Sequence, residues 1–316
     1  MAAVGSIIRF FLVAGVAGLV WTLALGSIAR WIWRAVRRGD AKAVPAWRKA
    51  AETTCVVLGA LGILAIAWAA LVEPYWPRVK RSTIHSEKLR GRGFRIVHLS
   101  DLHSDPRERL EDDIPGIVAG LDPDLVVFTG DGINSEQGLP SFRSCMKALA
   151  AEYPTYGVRG NWEAWYFPGL DVFEGTGVHA LSGTGDLVTL QGDEVWIAGA
   201  AVGQESGIAA SMRDAPPGAF AVYLHHFPAL AEHAVEQGAD LVLSGDTHGG
   251  QVRVPPLGAL IRVHRHGFWA PAGMHEVGDA HLYISQGIGM EGGRAPRVRF
   301  MCRPEIAVID VQPGGP

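Results

Sequence analysis

Four short motifs in this chain place potential metal ligands directly after apolar runs. In Asp101-Leu-His103 a carboxylate and an imidazole stand two residues apart, so on an extended loop both point to one side and can reach one ion. Gly130-Asp131 and Gly160-Asn161 each set a glycine, which lets the backbone turn sharply, before a short oxygen donor. The fourth is a pair, His226 in Leu-His-His-Phe-Pro and Asp246-Thr-His248 in GDTHGG. Alone, each is a weak signal, since a buried Asp at a strand end is commonly a helix cap. Their order carries the argument: each follows a strand-like run, and helix-sized intervals separate them. Carboxylate, amide and imidazole groups gathered in this way point to metal chemistry.

The elements that must position these motifs follow from periodicity. Phe94–Leu99, Leu125–Thr129 and Thr155–Val158 read as buried strands, separated by helical spacing over Arg107–Gly120 and Ser141–Ala151. Val188–Leu190, Val195–Ala200, Phe220–Leu224 and Leu241–Leu243 continue as strands, with a helix over Pro228–Gln237. Val298–Phe300 and Glu305–Val311 again alternate like strands. The βαβ rhythm predicts an α/β protein with a largely parallel sheet, which places its site on the loops after the strands.

Before residue 80 the composition is different, and there the chain's 48% hydrophobic content is concentrated. Phe10–Ala29 and Thr53–Val72 are uncharged and each long enough to cross a bilayer core of roughly 30 Å. A cleaved signal peptide is the competing explanation for the first run, but not for the second. The expected organisation is a two-helix membrane anchor over residues 1–80, a basic linker over 81–93 and a globular domain over 94–316. The connector between the helices carries Arg30, Arg34, Arg37, Arg38, Lys42, Arg48 and Lys49 against Asp40 and Glu52. By the positive-inside rule it faces the cytoplasm, which puts the globular domain outside, in an inner-membrane protein. A second basic stretch from Arg78 to Arg92 pulls the other way, while Trp68, Tyr75 and Trp76 fit an interfacial belt. The net charge of −4 gives no support for a nucleic-acid partner. Three cysteines without CxxC spacing (Cys55, Cys145 and Cys302) indicate neither a disulfide framework nor a thiolate metal site.

The series DLH, GD, GNWE, HHFP and GDTHGGQ resembles the calcineurin-like metallophosphoesterase superfamily, over about Phe94 to Val311. With the tail SQGIG and RPEI and the N-terminal apolar helices, it is similar to a membrane-associated bacterial branch that includes UDP-2,3-diacylglucosamine pyrophosphatases. The resemblance implies a four-layer α/β/β/α sandwich and two divalent ions, from manganese, magnesium, iron or zinc. One ion would be held by Asp101, His103 and His248; the other by Asn161, His226 and Asp246, with Asp131 bridging. Asp131, Asn161 and His226 would then act in hydrolysis of a phosphoester or phosphoanhydride, with a lipid-linked phosphate as the expected substrate class.

Two positions depart from the family pattern. Asp246 stands where a histidine is usual, and the added oxygen ligand favours hard ions such as manganese or magnesium. Trp162 replaces the histidine that contacts phosphate, and an indole cannot serve as a general acid. A leaving group that departs as a stable anion needs no such acid, which favours diphosphates and activated diesters over alkyl monoesters. His225, His264 and His266 are alternative acids, Glu163 is expected to support Asn161, and Arg159 and Arg294 could meet phosphate. Trp165, Tyr166 and Phe167 read by default as packed core; contact with an acyl chain is the alternative, as it is for Phe268 and Trp269. The competing class is a regulatory membrane protein that keeps the fold without turnover. A transporter is disfavoured because neither apolar run carries an intramembrane charge.

Overall fold

The computed structural model describes residues 2–37, 44–262, 270–293 and 296–314, with side chains from residue 8 onward. Arg38, Asp40 and Lys42 of the connector, together with His264, His266, Phe268, Trp269 and Arg294, lie outside the described residues.

The chain opens with two long helices, α1 (Ala2–Val36) and α2 (Ala46–Leu71). Ile8–Val36 and Ala46–Tyr75 are long and apolar enough to cross a membrane, and most of their side chains face outward. The hairpin is clamped at its connector end. The buried Glu52 carboxylate accepts hydrogen bonds from Arg30 Nε (2.8 Å), Arg34 Nη1 (2.8 Å) and Trp31 Nε1 (3.0 Å).

The remaining elements are β1 (Arg78–Ser86), β2 (Phe94–Leu99), α3 (Ile114–Ala119), β3 (Leu125–Phe128), α4 (Leu139–Glu152), β4 (Thr155–Gly157), α5 (Asn161–Tyr166) and β5 (His179–Ala180). They continue with β6 (Thr184–Leu190), β7 (Asp193–Gly199), α6 (Ile208–Met212), β8 (Phe220–Leu224), α7 (Ala231–Glu236), β9 (Leu241–Ser244), β10 (Arg253–Val254), β11 (Gly258–Ala259), β12 (Gly273–Val277), β13 (Ala280–Ile284) and β14 (Glu305–Pro313). One six-stranded sheet has the order β1-β14-β2-β3-β4-β5, the other β12-β13-β9-β8-β7-β6. In both, the central strands β2, β3 and β4, or β7, β8 and β9, are parallel neighbours.

Buried parallel strands have no polar face, and here alternate residues feed separate cores. Ile96, Leu125, Val127, Val222, Leu224 and Leu243 pack between the two sheets. Val97, Leu99, Val126 and Phe128 pack outward with Ile114, Val118, Phe142 and Met146 of α3 and α4. Ala198, Ala221 and Tyr223 of the second sheet meet Ile208, Met212, Ala231 and Ala234 of α6 and α7. The result is the four-layer α/β/β/α order that the family resemblance implies.

Three local expectations are corrected. Arg78–Ser86, assigned to the end of the anchor and the start of a basic linker, is an edge strand paired in parallel with β14 along its whole length. Its charges suit an exposed edge, where they oppose pairing with other chains. Val298–Phe300 is not a strand: the Arg299 side chain is buried, and its amide donates to the Ala69 carbonyl of α2 at 2.9 Å. The expected helix over Arg107–Gly120 shrinks to α3, because the Glu111 carboxylate draws the Arg109 and Leu110 amides into a turn. The helix then begins at Ile114-Pro115, where a proline needs no donor.

Candidate metal centre

Both sheets deliver their motifs at one end. Asp101 and His103 follow β2, Asp131 follows β3 and Asn161 opens α5 after β4. From the second sheet come His226 after β8, and Asp246 and His248 after β9. All seven side chains are buried. The strand ladders extend into these loops: His103 N donates to Asp131 O (2.9 Å), Asp101 N to Gly130 O (2.9 Å), and Gly245 N to His226 O (3.1 Å).

The loops turn by unusual backbone conformations. Asp101, His103, Asp131, Asp246 and His248 all have φ between 45° and 66°, where residues other than glycine are uncommon. Each such residue costs about 1–3 kcal/mol, so five at one site mark a place where geometry is imposed by the surroundings. Gly130 has φ 96°, and a Cβ there would sit 2.5 Å from Gly160 N. The two glycines let the Asp131 and Asn161 loops touch.

The side chains form two overlapping groups, Asp101–His103–His248 and Asp101–Asp131–His226, each with its donor atoms within 4.8 Å of one another. Asp131 Oδ2 lies between two imidazoles, 3.5 Å from His103 Nε2 and 3.3 Å from His226 Nε2. His248 Nε2 is 3.2 Å from His103 Nε2 and 3.4 Å from Asp101 Oδ1. His226 Nε2 is 3.8 Å from Asp246 Oδ1 and 4.0 Å from Asp101 Oδ1. The structure thus brings together the carboxylates and imidazoles named from the sequence. Asn161, between Gly160 and Trp162 whose backbones meet Asp131, is also buried, and among the described residues its Oδ1 has no hydrogen-bond partner; nor has Asp101 Oδ2. Orphaned acceptors are rare in a protein interior and fit a cation.

Ring orientation also suits metal binding. His103 Nδ1 lies 2.8 Å from Asn134 Oδ1, and Asn134 Nδ2 in turn donates to the His103 carbonyl, which fixes the amide. His226 Nδ1 lies 2.7 Å from the Thr129 carbonyl. Each ring therefore donates from Nδ1, and its Nε2 lone pair is left for the cluster. Burial pushes His103 down to about 4, so it stays neutral. Burial also opposes charge on His226, but the Asp131, Asp101 and Asp246 carboxylates outweigh it and raise it to about 10. Asp101 is raised to about 7: burial is the main cause, His226 pulls the other way, and the Asp131 and Asp246 carboxylates add to the rise. A proton on His226 stands in for positive charge that the carboxylates require.

Supporting residues surround this cluster. Glu163 accepts hydrogen bonds from the amides of Asp131 (3.0 Å), Gly132 (2.7 Å) and Gly160 (2.8 Å), so it ties two loops together, a broader role than support of Asn161. Trp162 N donates to Asp131 Oδ1 at 2.9 Å, while its ring meets His103 edge-on at 5.2 Å. His225 is packed in a turn, its Nδ1 accepting from Phe227 N at 3.0 Å. Arg159 turns its guanidinium onto the carbonyls of Glu163, Phe167 and Pro168 instead of toward the cluster. Trp165 and Tyr166, read by default as core, are 53% and 60% exposed; among the three, only Phe167 packs against the core. Asn134 was missed in the sequence, although it stands three residues beyond Asp131 in the same loop. Arg109, which donates to the His103 carbonyl at 2.9 Å, carries no motif that would have revealed it.

Comparison with known proteins agrees with this geometry. Residues 94–250 match the calcineurin-like phosphoesterase family. The metallophosphoesterase YkuE of Bacillus subtilis is 28% identical over 267 residues, covering 78% of this chain and 89% of its own. Phosphodiesterase YaeI of Escherichia coli is 27% identical over 255 residues, covering 76% and 90%. A metallophosphoesterase of Aquifex aeolicus is 26% identical over 272 residues, covering 81% and 99%. Residues 94–250 are a calcineurin-like metallophosphoesterase domain, and the protein is a hydrolase of phosphoester bonds, with Asp and His groups able to bind a two-metal centre.

Proposed function

We propose that Asp101, His103, Asp131, Asn161, His226, Asp246 and His248 hold two divalent ions, and that the protein hydrolyses lipid-linked phosphodiesters or diphosphates at a membrane surface. The observation behind the ligand assignment is the position of Asp131 Oδ2 between His103 and His226, with Asp101 common to both ligand groups. Bound ions would neutralise phosphoryl charge and supply a nucleophilic water at neutral pH. Asp131 would bridge, Asn161 would offer its unpaired amide oxygen, and His226 would offer Nε2. Two carboxylates beside Asn161 favour manganese or magnesium.

Among the described residues, Trp162 covers the edge of His103 and His225 is turned into its own loop, so neither position supplies the usual general acid. This favours a substrate whose leaving group is already a stable anion, such as a phosphate released from a diphosphate or an activated alcohol released from a diester. Similarity to a phosphodiesterase supports the diester reading. Support for the membrane comes from the two apolar helices, and from Trp76 and Tyr75, exposed where α2 meets the domain. The connector's arginines favour an extracytoplasmic domain.

The test is hydrolysis by the full chain after loading with manganese. Asp131→Asn should lower bis(p-nitrophenyl) phosphate turnover by at least about 10³-fold, since loss of a bridging ligand removes the electrostatic stabilisation of the transferred group. A lipid diphosphate should be cleaved in preference to an alkyl monophosphate. Preference for the monoester would overturn the leaving-group argument, and full activity in Asp131→Asn would overturn the ligand assignment.

A further inference from the structure

An apolar cavity of about 460 Å³ runs from the metal cluster to the start of the first membrane-length helix. Its lining includes Thr247 and His248 of the metal-site loop, the apolar side chains Val252, Leu260 and Val298, and Phe10 of α1. This volume lies within the range of about 300–1,000 Å³ typical of small-molecule sites. His248 apart, its lining side chains belong neither to the metal cluster nor to any of the three hydrophobic cores that hold the layers together.

Its placement says what it would hold. Phe10 is the first residue of the uncharged run, and Arg9 immediately before it donates from Nη1 to the Ala259 carbonyl at 3.4 Å. An arginine followed by an uncharged helix marks the level at which headgroups give way to hydrocarbon. The hairpin carrying β10 and β11 is therefore held at that level, and the cavity behind it joins hydrocarbon depth to His248. A molecule that fills it needs a polar end for the cluster and an apolar end for the bilayer. Free phosphate or a soluble nucleotide would leave the apolar walls wet.

We infer that this cavity binds the hydrocarbon tail of the substrate, entering beside Phe10 while the phosphoester rests on the metal cluster. The inference rests on the phosphoesterase reading of the cluster and adds the tail site. Specificity would then reside in Val252, Leu260 and Val298 as well as in the ligands. Burying each tail methylene can strengthen binding by up to about fourfold.

The test uses the full chain with p-nitrophenyl alkyl phosphodiesters from butyl to hexadecyl, comparing Leu260→Trp and Val298→Trp with the wild type at each length, so that partitioning cancels. Filling the cavity should lower kcat/KM for the hexadecyl ester at least about tenfold more than for the butyl ester. Equal loss at both lengths, or none at hexadecyl, would overturn the inference. A second measurement does not depend on turnover: phosphatidic acid with a diazirine in its acyl chain, in phosphatidylcholine nanodiscs. Crosslinks should map to 252–261 or 298 and weaken in Leu260→Trp. Crosslinks confined to the outer faces of α1 and α2 would overturn the tail site, even where lipid phosphoesters are hydrolysed. Crosslinks inside the cavity without turnover of any phosphoester would instead sustain the tail site and defeat the phosphoesterase assignment it was built on.

Discussion

Asp131 uses its two oxygens differently. Oδ1 accepts the Trp162 amide, while Oδ2 faces His103 and His226. The same carboxylate sets the pH dependence of metal binding. His226, raised to about 10, holds a proton at neutral pH in the absence of an ion, and Asp101, raised to about 7, holds one below that. An ion must displace both protons below pH 7 and only the His226 proton between 7 and 10. Metal affinity should therefore rise with pH, steeply below about 7, more gently above, and level off near 10. Titration calorimetry in buffers of different ionisation enthalpy would count the protons; affinity independent of pH across this range would contradict the ligand set. His103, lowered to about 4, should contribute no proton. Its own support can be tested separately. Asn134→Ala removes the acceptor for Nδ1, frees the ring to rotate, and should weaken metal binding by about 10–100-fold in a chelator competition.

Strands and loops divide the work of building the site. The strands are plain apolar runs, but the loops after them hold five non-glycine residues at positive φ. What holds them there is contact between loops, above all the approach of Gly130 to Gly160 and the three amides gathered by Glu163. Gly130→Ala should accordingly destabilise the fold by about 3 kcal/mol, at the upper end for a point substitution, and lower metal occupancy with it. Thermal melting with metal analysis would show this; an unchanged melt would mean the loops tolerate separation. This division also explains what the sequence revealed. The strands β2, β3, β8 and β9 and the clustering residues after them were legible because buried parallel strands are uniformly apolar and end abruptly in Asp, His or Gly. β1 was not, since an exposed edge strand written RVKRSTIHS looks like a charged linker. Nor was Arg299, which alternates with apolar neighbours but is buried because its guanidinium donates to the carbonyls of Gln286, Gly287, Gly289 and Cys302. Long-range carbonyl partners leave no local signature.

At the scale of the molecule, the cluster lies where two sheets meet. Four of its members come from the first sheet and three from the second, so bound ions would staple the halves together. Chelation should lower the melting temperature, and manganese should restore it, because an ion that binds only the folded state stabilises it by mass action. The N-terminal hairpin is tied to the same region. Glu73 accepts the Cys302 amide at 2.5 Å, Arg299 N donates to Ala69 O, and the Cys302 thiol donates to the His248 carbonyl at 3.3 Å. Helix α2 thus reaches the loop of the proposed ligand His248 through Glu73 and Cys302. The boundary of the folded unit follows from these contacts and not from the change in composition near residue 94. A chain starting at Val72 keeps Glu73 and all of β1, whereas one starting at Phe94 strips the cover from β14 and exposes a long apolar edge. The first should elute as a monomer in mild detergent, with a cooperative melt and bound metal. The second should aggregate, although it retains every proposed ligand. Equal behaviour of the two in size-exclusion chromatography would show that β1 is dispensable and that the domain begins where its first motif strand does.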